Sequence, residues 1–478
     1  MLILTSVLLV FNISVLKEKP FGNSYIVYAG ISASFLLLFA GIYYPSNSLF
    51  NSLAVSDSFG RLAKIICLLP LLIFTVLEDK SENKNPEGKL IFGFLFTGAC
   101  MIAVSSANFL LLIVSLALID VCMFFLLAIP ARQKKETVNI WGYTLAGLIS
   151  WILIITGASI LFGLSGALSY YDIENYLSMN AINQNALLIS LLLILAGISL
   201  KMFVFPFDII IRKVLPGISR ANFSFMLVSL PVTGIFISAR ILLSCFGNRS
   251  PLNPNPQQIS MLPGFYWNGI IITASSLMTL WAIFRLFRAK DLRTVLLYLV
   301  LMQTSAFMAG IGAVSNAAFE SAIAMLIAEI IPVLLLIYLL NLIRNEYGIT
   351  TIDGLKGFGK RNLLMTVSFA ICILSLGGFP LTIGFPAKIN LLNSVFHFVP
   401  VWASSIIILT MIAVCIQIFR LLFIILKPGI DAGAEVSAPV NIRNRAALFV
   451  VLFIIVLGSV YFEPVVWIAD FFSKIHGI

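Results

Sequence analysis

The sequence has little charge: 10% of its 478 residues are Asp, Glu, Lys or Arg, and 60% are hydrophobic. Ordinary soluble domains carry about a quarter charged residues. A chain this poor in charge cannot cover the surface of a water-soluble fold, so it reads as a polytopic membrane protein. The net charge of +10 and pI near 9.3 do not point to nucleic acid, because that needs basic residues clustered on a water-exposed face. Histidine is nearly absent. His397 and His476 lie far apart near the ends of apolar runs, which leaves haem and zinc ligation without sequence support. The six cysteines (Cys67, Cys100, Cys122, Cys245, Cys372, Cys415) stand singly in apolar stretches with no C-x-x-C pair, and read as small core hydrophobes. DGLKGFGKR (353–361) is glycine-rich, yet it joins two apolar runs with no strand ahead of it, so it reads as a turn rather than a phosphate loop. No flavin, iron–sulfur, nucleotide or other cofactor site is expected on this chain.

What the sequence has is a series of apolar runs long enough to cross about 30 Å of hydrocarbon. They fall near 2–16, 24–43, 62–77, 90–106, 108–130, 140–165, 184–206, 221–245, 265–284, 294–314, 319–343, 363–394, 401–426 and 446–468. The predicted fold is therefore all-α, with about 14 transmembrane helices. The first run is not a signal peptide, since Lys17 and Lys19 follow it rather than precede it. It is expected to be a retained helix with its N-terminus outside.

The basic residues test that count independently, because Lys and Arg accumulate in cytoplasmic loops. With the N-terminus outside, those loops take Lys17/Lys19, Lys80/Lys84/Lys89, Arg132/Lys134/Lys135, Arg212/Lys213/Arg220, Arg285/Arg288/Lys290/Arg293, Arg344/Lys356/Lys360/Arg361 and Lys427/Arg443/Arg445. The outer side takes Arg61, Lys64, Arg240, Arg249 and Lys474. Lys201, Lys388 and Arg420 remain inside spans, and Arg420 is close enough to the inner end to snorkel.

Charge at mid-bilayer costs roughly 2.5–3.5 kcal/mol on insertion scales, so an intramembrane ionisable group is a functional candidate. The candidates are Asp120, Lys201, Asp208, Glu320, Glu329 and Lys388, of which Glu320 sits at a span start and reads as solvated. A structural ion pair or a packing contact is the alternative for each of the others. Both lysines lie beside helix breakers, in LKMFVFPFD (200–208) and GFPLTIGFPAKI (378–389), where Pro206, Pro380 and Pro386 remove ladder hydrogen bonds. Irregular backbone at membrane depth is tolerated where it is buried in protein or lines a wet cavity. The lysines fall on spans 7 and 12, an odd separation that makes the two helices antiparallel and suits an inverted repeat with a discontinuous helix in each half. An ammonium held away from water releases its proton more readily, so such lysines, bridged by water, can form a proton wire.

These segments resemble the antiporter-like membrane subunits of respiratory complex I, a family shared with multisubunit cation/proton antiporters and membrane-bound hydrogenases. SLGGFPLTIGFPAKINLL (375–392) is similar to the family's broken-helix segment, and KMFVFPFD (201–208) to its earlier K-x-x-x-x-P-F-H element. AKDLRTVLLY (289–298) resembles its cytoplasmic link, with Gln303 where the family often has His or Gln, and MIAVSSANFLLL (101–112) resembles its fourth-to-fifth span junction. The resemblance covers roughly residues 88 to 394.

The resemblance implies a proton-translocating subunit of a complex I-like NADH:quinone oxidoreductase, most similar to its N-type subunit. Its partners would be other membrane subunits, with no nucleic acid and with the redox centres on other chains. Lys201 matches the family's central lysine and Lys388 its exit-side lysine. The family's fifth-span glutamate aligns with Leu118, Asp120 lies two residues on and on a different helix face, and a second family lysine aligns with Pro231. Asp208 replaces the motif histidine, prolines expected after Gly217 are missing, and span 11 offers Glu329 as a relay. Either Asp120 or Asp208 compensates, or the first half-channel is degraded and the subunit is structural. A sodium/proton antiporter subunit is the other alternative. The sequence ends after its fourteenth run, so the long lateral helix of the largest family member is not expected. The expected organisation is an N-terminal segment (1–89), a first repeat (90–245), a second repeat (265–426) and a C-terminal loop with one span (427–478).

Overall fold

In hydrocarbon every backbone N–H and C=O needs a partner within the chain, and a helix supplies one locally. The apolar runs accordingly fold as helices. The computed structural model describes residues 21–41, 47–49, 52–77, 86–129, 134–180, 183–203, 207–215, 218–219, 222–247, 267–427 and 442–473. The expected span at 2–16, Lys17, Lys19, Lys80, Lys84, Arg132, Pro206, Gly217, Arg220, Arg249, Lys474 and His476 lie outside the described residues.

The chain divides into two compact units, residues 1–267 with 471–478, and residues 268–470. The first contains α1 (Phe21–Ala40), β1 (Asn47–Leu49), β2 (Ala54–Ser56), α2 (Ser58–Leu77), α3 (Pro86–Val104), α4 (Phe109–Ala128) and α5 (Lys134–Ser165). It continues with α6 (Tyr170–Met179), α7 (Gln184–Lys201), α8 (Asp208–Val214) and α9 (Asn222–Cys245). The second contains α10 (Asn268–Arg288), α11 (Leu292–Gly312), α12 (Asn316–Tyr347), α13 (Phe358–Arg361), α14 (Leu363–Gly377), α15 (Gly384–Phe396), α16 (Val401–Leu426) and α17 (Ile442–Val460). The last helix, α18 (Glu463–Ser473), spans the boundary between the two.

Among the described residues nine helices are long and apolar enough to cross a membrane, and three more apolar helices are shorter. The chain is thus an integral, multi-pass membrane protein. Three features correct the sequence reading. The mostly helical fold includes one short element not expected: β1 and β2 form an antiparallel hairpin that pairs Asn47 with Ser56 and Leu49 with Ala54. The hairpin is held to the turn after α3 by Val55 N–H to Ser105 O (2.9 Å) and Ala107 N–H to Leu53 O (3.0 Å). The expected last span is bent by 87° between Leu452–Val460 and Glu463–Ser473. Arg61 and Arg240, assigned above to the outer side, are buried within α2 and α9, and Lys89 is buried in α3.

Small side chains bring helices into close contact in each unit. In the first, Ser150 Oγ of α5 donates to Gly197 O (2.7 Å), and Ser190 Oγ of α7 donates to Gly157 O (3.0 Å). In the second, Thr279 and Ser305 hydroxyls join α10 to α11 at 2.6 Å, and Ser321 and Ser394 hydroxyls join α12 to α15 at 2.7 Å. Pro231 shapes α9. Its ring nitrogen has no hydrogen to donate, and the helix passes it through a π-helical turn at Phe225–Ser229, where Leu230 N–H reaches Phe225 O.

Candidate functional site

Each unit holds one buried lysine at a helix break, facing one carboxylate and one backbone carbonyl. In the first unit Lys201 is the last residue of α7. Its Nζ lies 2.6 Å from Asp120 Oδ2 on α4 and donates to Leu116 O at 2.9 Å, one turn earlier on that helix. The side chains are 7% and 18% exposed. Leu118, the position where the resemblance puts a glutamate, is 46% exposed. Asp120, two residues on, is the acid that meets the lysine. Beside this pair lies a cavity of about 10 Å³, lined by Leu116, Ile119, Ile198, Leu230 and Thr233, room for about one water. Past Lys201 the chain leaves the helix through Phe203, whose φ of +59° is left-handed, a conformation costly for a bulky residue.

In the second unit Lys388 belongs to the second turn of α15. Its Nζ lies 3.4 Å from Glu329 Oε1 of α12 and donates to Leu376 O of α14. The side chains are 1% and 4% exposed. The break explains why that carbonyl is available. In a continuous helix Leu376 C=O would accept from residue 380, which is Pro380 and has no N–H. Lys388 Nζ takes the freed acceptor together with Gln303 Nε2 of α11, at 2.8 Å. Gly378 (φ +68°) caps α14, with Phe379 N–H donating to Leu374 O at 3.0 Å, a Schellman closure that needs the left-handed residue. Leu381 follows at φ +70°, and Ile383 N–H donates to Ile455 O of α17 at 3.0 Å. Pro386 sits in the first turn of α15, where a missing N–H leaves no bond unmade.

The carboxylate of Asp208 is fully buried and turned toward its own helix. Asp208 starts α8 and pairs with Arg212 Nε at 3.2 Å, one turn on. Sequence reasoning missed a third buried pair. Arg240 Nη2 of α9 lies 2.7 Å from Asp57 Oδ1, and that same oxygen accepts from Gly60 N–H at 3.0 Å, capping α2. The signal was slight: Arg240 sits within the apolar run 221–245, where a charge that does not reach water calls for a buried acid. Among the described residues no group of three or more His, Cys, Asp or Glu could hold a metal ion.

The family model for NADH:quinone oxidoreductase/Mrp antiporter, TM, matches residues 106–413. A NADH-quinone oxidoreductase subunit N 2 from Chloroherpeton thalassium is 23% identical over 442 residues, covering 91% of this chain and 85% of that protein. A NADH-quinone oxidoreductase subunit N from Geobacillus kaustophilus is 27% identical over 343 residues, covering 70% and 67%. The fold is shared with a chain of the Mrp complex from Dietzia sp., at a TM-score of 0.83 and 14% identity, over 99% of this chain and 95% of that one. It is shared too with a chain of respiratory complex I from Thermus thermophilus, at 0.76 and 15% identity, over 97% of each. The matched stretch contains both lysines, both facing acids and both helix breaks, and the chain belongs to the NADH:quinone oxidoreductase/Mrp antiporter transmembrane family.

Proposed function

We propose that this chain is a proton-translocating membrane subunit of a complex I-like NADH:quinone oxidoreductase, of the N type. The observation that carries the reading is the repetition of one chemical arrangement, a buried lysine between a carboxylate and a backbone carbonyl at a helix break, in both units. Curated relatives named as subunit N of that oxidoreductase support it. In this reading Lys201 and Lys388 hold protons in transit, Asp120 and Glu329 set when each is released, and the buried Asp208 stays paired with Arg212. The chain carries no cofactor of its own, and the electron-transfer centres lie on partner subunits.

The same reading takes the chain as about fourteen spans with the N-terminus on the outer side. Spans 7 and 12 are discontinuous, and residues 90–245 and 265–426 are the two inverted repeats. Asp120 serves in place of the acid that the family carries at Leu118. The second reading, a subunit of a multisubunit cation/proton antiporter, draws on the family's own scope, which names Mrp antiporters beside the oxidoreductase.

The test is to tag the chain, extract it in mild detergent and identify every protein that co-purifies in stoichiometric amount. Iron–sulfur and quinone-site proteins support the oxidoreductase. Small membrane subunits without any redox protein would overturn it in favour of the antiporter.

A further inference from the structure

We propose that Gln417 is a positioning residue of the proton path in the second unit, holding water between Lys388 and the Lys427 end of α16; this rests on the function proposed above. Gln417 lies in the middle of α16 and is fully buried. Among the described residues neither its Nε2 nor its Oε1 meets a hydrogen-bonding partner, and the same holds for Ser375 Oγ on α14, also fully buried. A buried amide left unsatisfied in both directions is costly, and such groups in native proteins are met by protein or by water. An apolar residue of the same size would fill that position at no such cost. A glutamine placed there is therefore matched to something polar that enters.

The packing puts α14 and α16 side by side at the level of the lysine. A Cβ at Gly378 would stand 2.8 Å from Lys388 Cδ and 3.1 Å from Met411 Cε, and one at Gly377 would stand 3.2 Å from Val414 Cγ1. Farther along, a Cβ at Gly359 would stand 3.2 Å from Ile425 Cγ2. Residues 378 to 359 thus meet 411 to 425 in reverse order, so α14 and α16 are antiparallel. Ser375, two residues before Gly377, and Gln417, three after Val414, fall at about the same level, since each residue rises about 1.5 Å along a helix. That level lies between Lys388 and Arg420, whose Nη1 donates to Phe287 O at 2.9 Å near the end of α10.

Gln417 carries no proton itself. Its carbonyl accepts from one water and its N–H donates to another. A proton arriving at one end of that file displaces another toward Lys388, so each water gains and loses one proton and the amide is unchanged. Leucine at this position would keep the volume and break the file.

The experiment uses the assembled complex in sealed vesicles and compares Gln417→Leu, Gln417→Glu and Lys388→Ala with the parent, reading protons moved per electron against external pH. Gln417→Leu is expected to assemble with unchanged or higher thermal stability and to move severalfold fewer protons per electron. Gln417→Glu, which can still hold water, is expected to restore translocation with an altered pH profile. Normal translocation by Gln417→Leu while Lys388→Ala has lost it overturns this inference alone. Normal translocation by Lys388→Ala overturns the underlying function as well. If Gln417→Leu fails to assemble, Gln417→Glu decides: restored translocation with an altered pH profile supports the role, and a parent-like profile or failed assembly makes Gln417 a packing residue and overturns it.

Discussion

The two lysine sites are built from the same parts and differ in how tightly those parts close. In the first unit Lys201 and Asp120 are 2.6 Å apart, and the accepting carbonyl, Leu116 O, comes from the same helix as the acid. In the second, Lys388 and Glu329 stand at 3.4 Å without hydrogen-bond alignment, and both carboxylate oxygens are enclosed with no hydrogen-bonding partner among the described residues. There the carbonyl comes from a different helix, freed by Pro380 and shared with Gln303. The contrast is that of a latch and a relay. On the proposed function, the short pair between α4 and α7 gives up its proton less readily, whereas the looser pair with unmet acceptors has room for the proton to change partners.

If the first site is a latch, breaking it is the most damaging change. Removing one partner of a buried pair costs roughly 3–5 kcal/mol, and Asp120→Ala, with the acid 18% exposed, should fall at the lower end. Thermal melting of the purified complex should show it as lost assembly or a lowered Tm, and an unchanged Tm would mean the pair is not held closed. The relay should respond differently. Glu329→Gln keeps shape but removes the charge, and should lower protons moved per electron severalfold with assembly retained. Equal loss of assembly and translocation would make Glu329 a packing acid.

A finer cut separates the breaks. Pro380→Ala returns an N–H that can compete for Leu376 O, so translocation should fall severalfold while stability stays within about 1 kcal/mol. No change in translocation would mean that the freed carbonyl is incidental. The smallest effect is expected outside the membrane. Lys356, 3.0 Å from Asp353, holds that exposed carboxyl below the usual range by hydrogen bond and charge. Because the folded form binds its proton less readily than the unfolded form, this stabilisation is present above the usual carboxylate range and fades as pH falls through the folded value. A melting series of Asp353→Asn against the parent should show a slight Tm deficit at neutral pH that closes in acid. A deficit that widened in acid would reverse the sign.

Much of this was legible in the sequence for a physical reason. Low charge and long apolar runs report the bilayer directly, and Lys201 and Lys388 stand out because hydrocarbon makes any charge conspicuous. The interruption between α14 and α15 contains Pro380, whose missing N–H is plain in the sequence. Partners were not. Asp57 and Arg240 are far apart in sequence, as are Gln303 and Leu376, and nothing local ties them together. Asp120 seemed to lie on the wrong face by alignment with Leu118, because alignment carries a position and not the direction in which a helix is turned. The hairpin at 47–56 was hidden for a similar reason: its strands have three residues each and are held by a turn some fifty residues later.

The central claim is that Lys388 carries protons in transit. It is tested most directly by protons translocated per electron in Lys388→Ala, measured in sealed membranes containing the assembled complex. The account predicts that translocation is lost while assembly and quinone reduction persist. Unchanged translocation with normal assembly would contradict it.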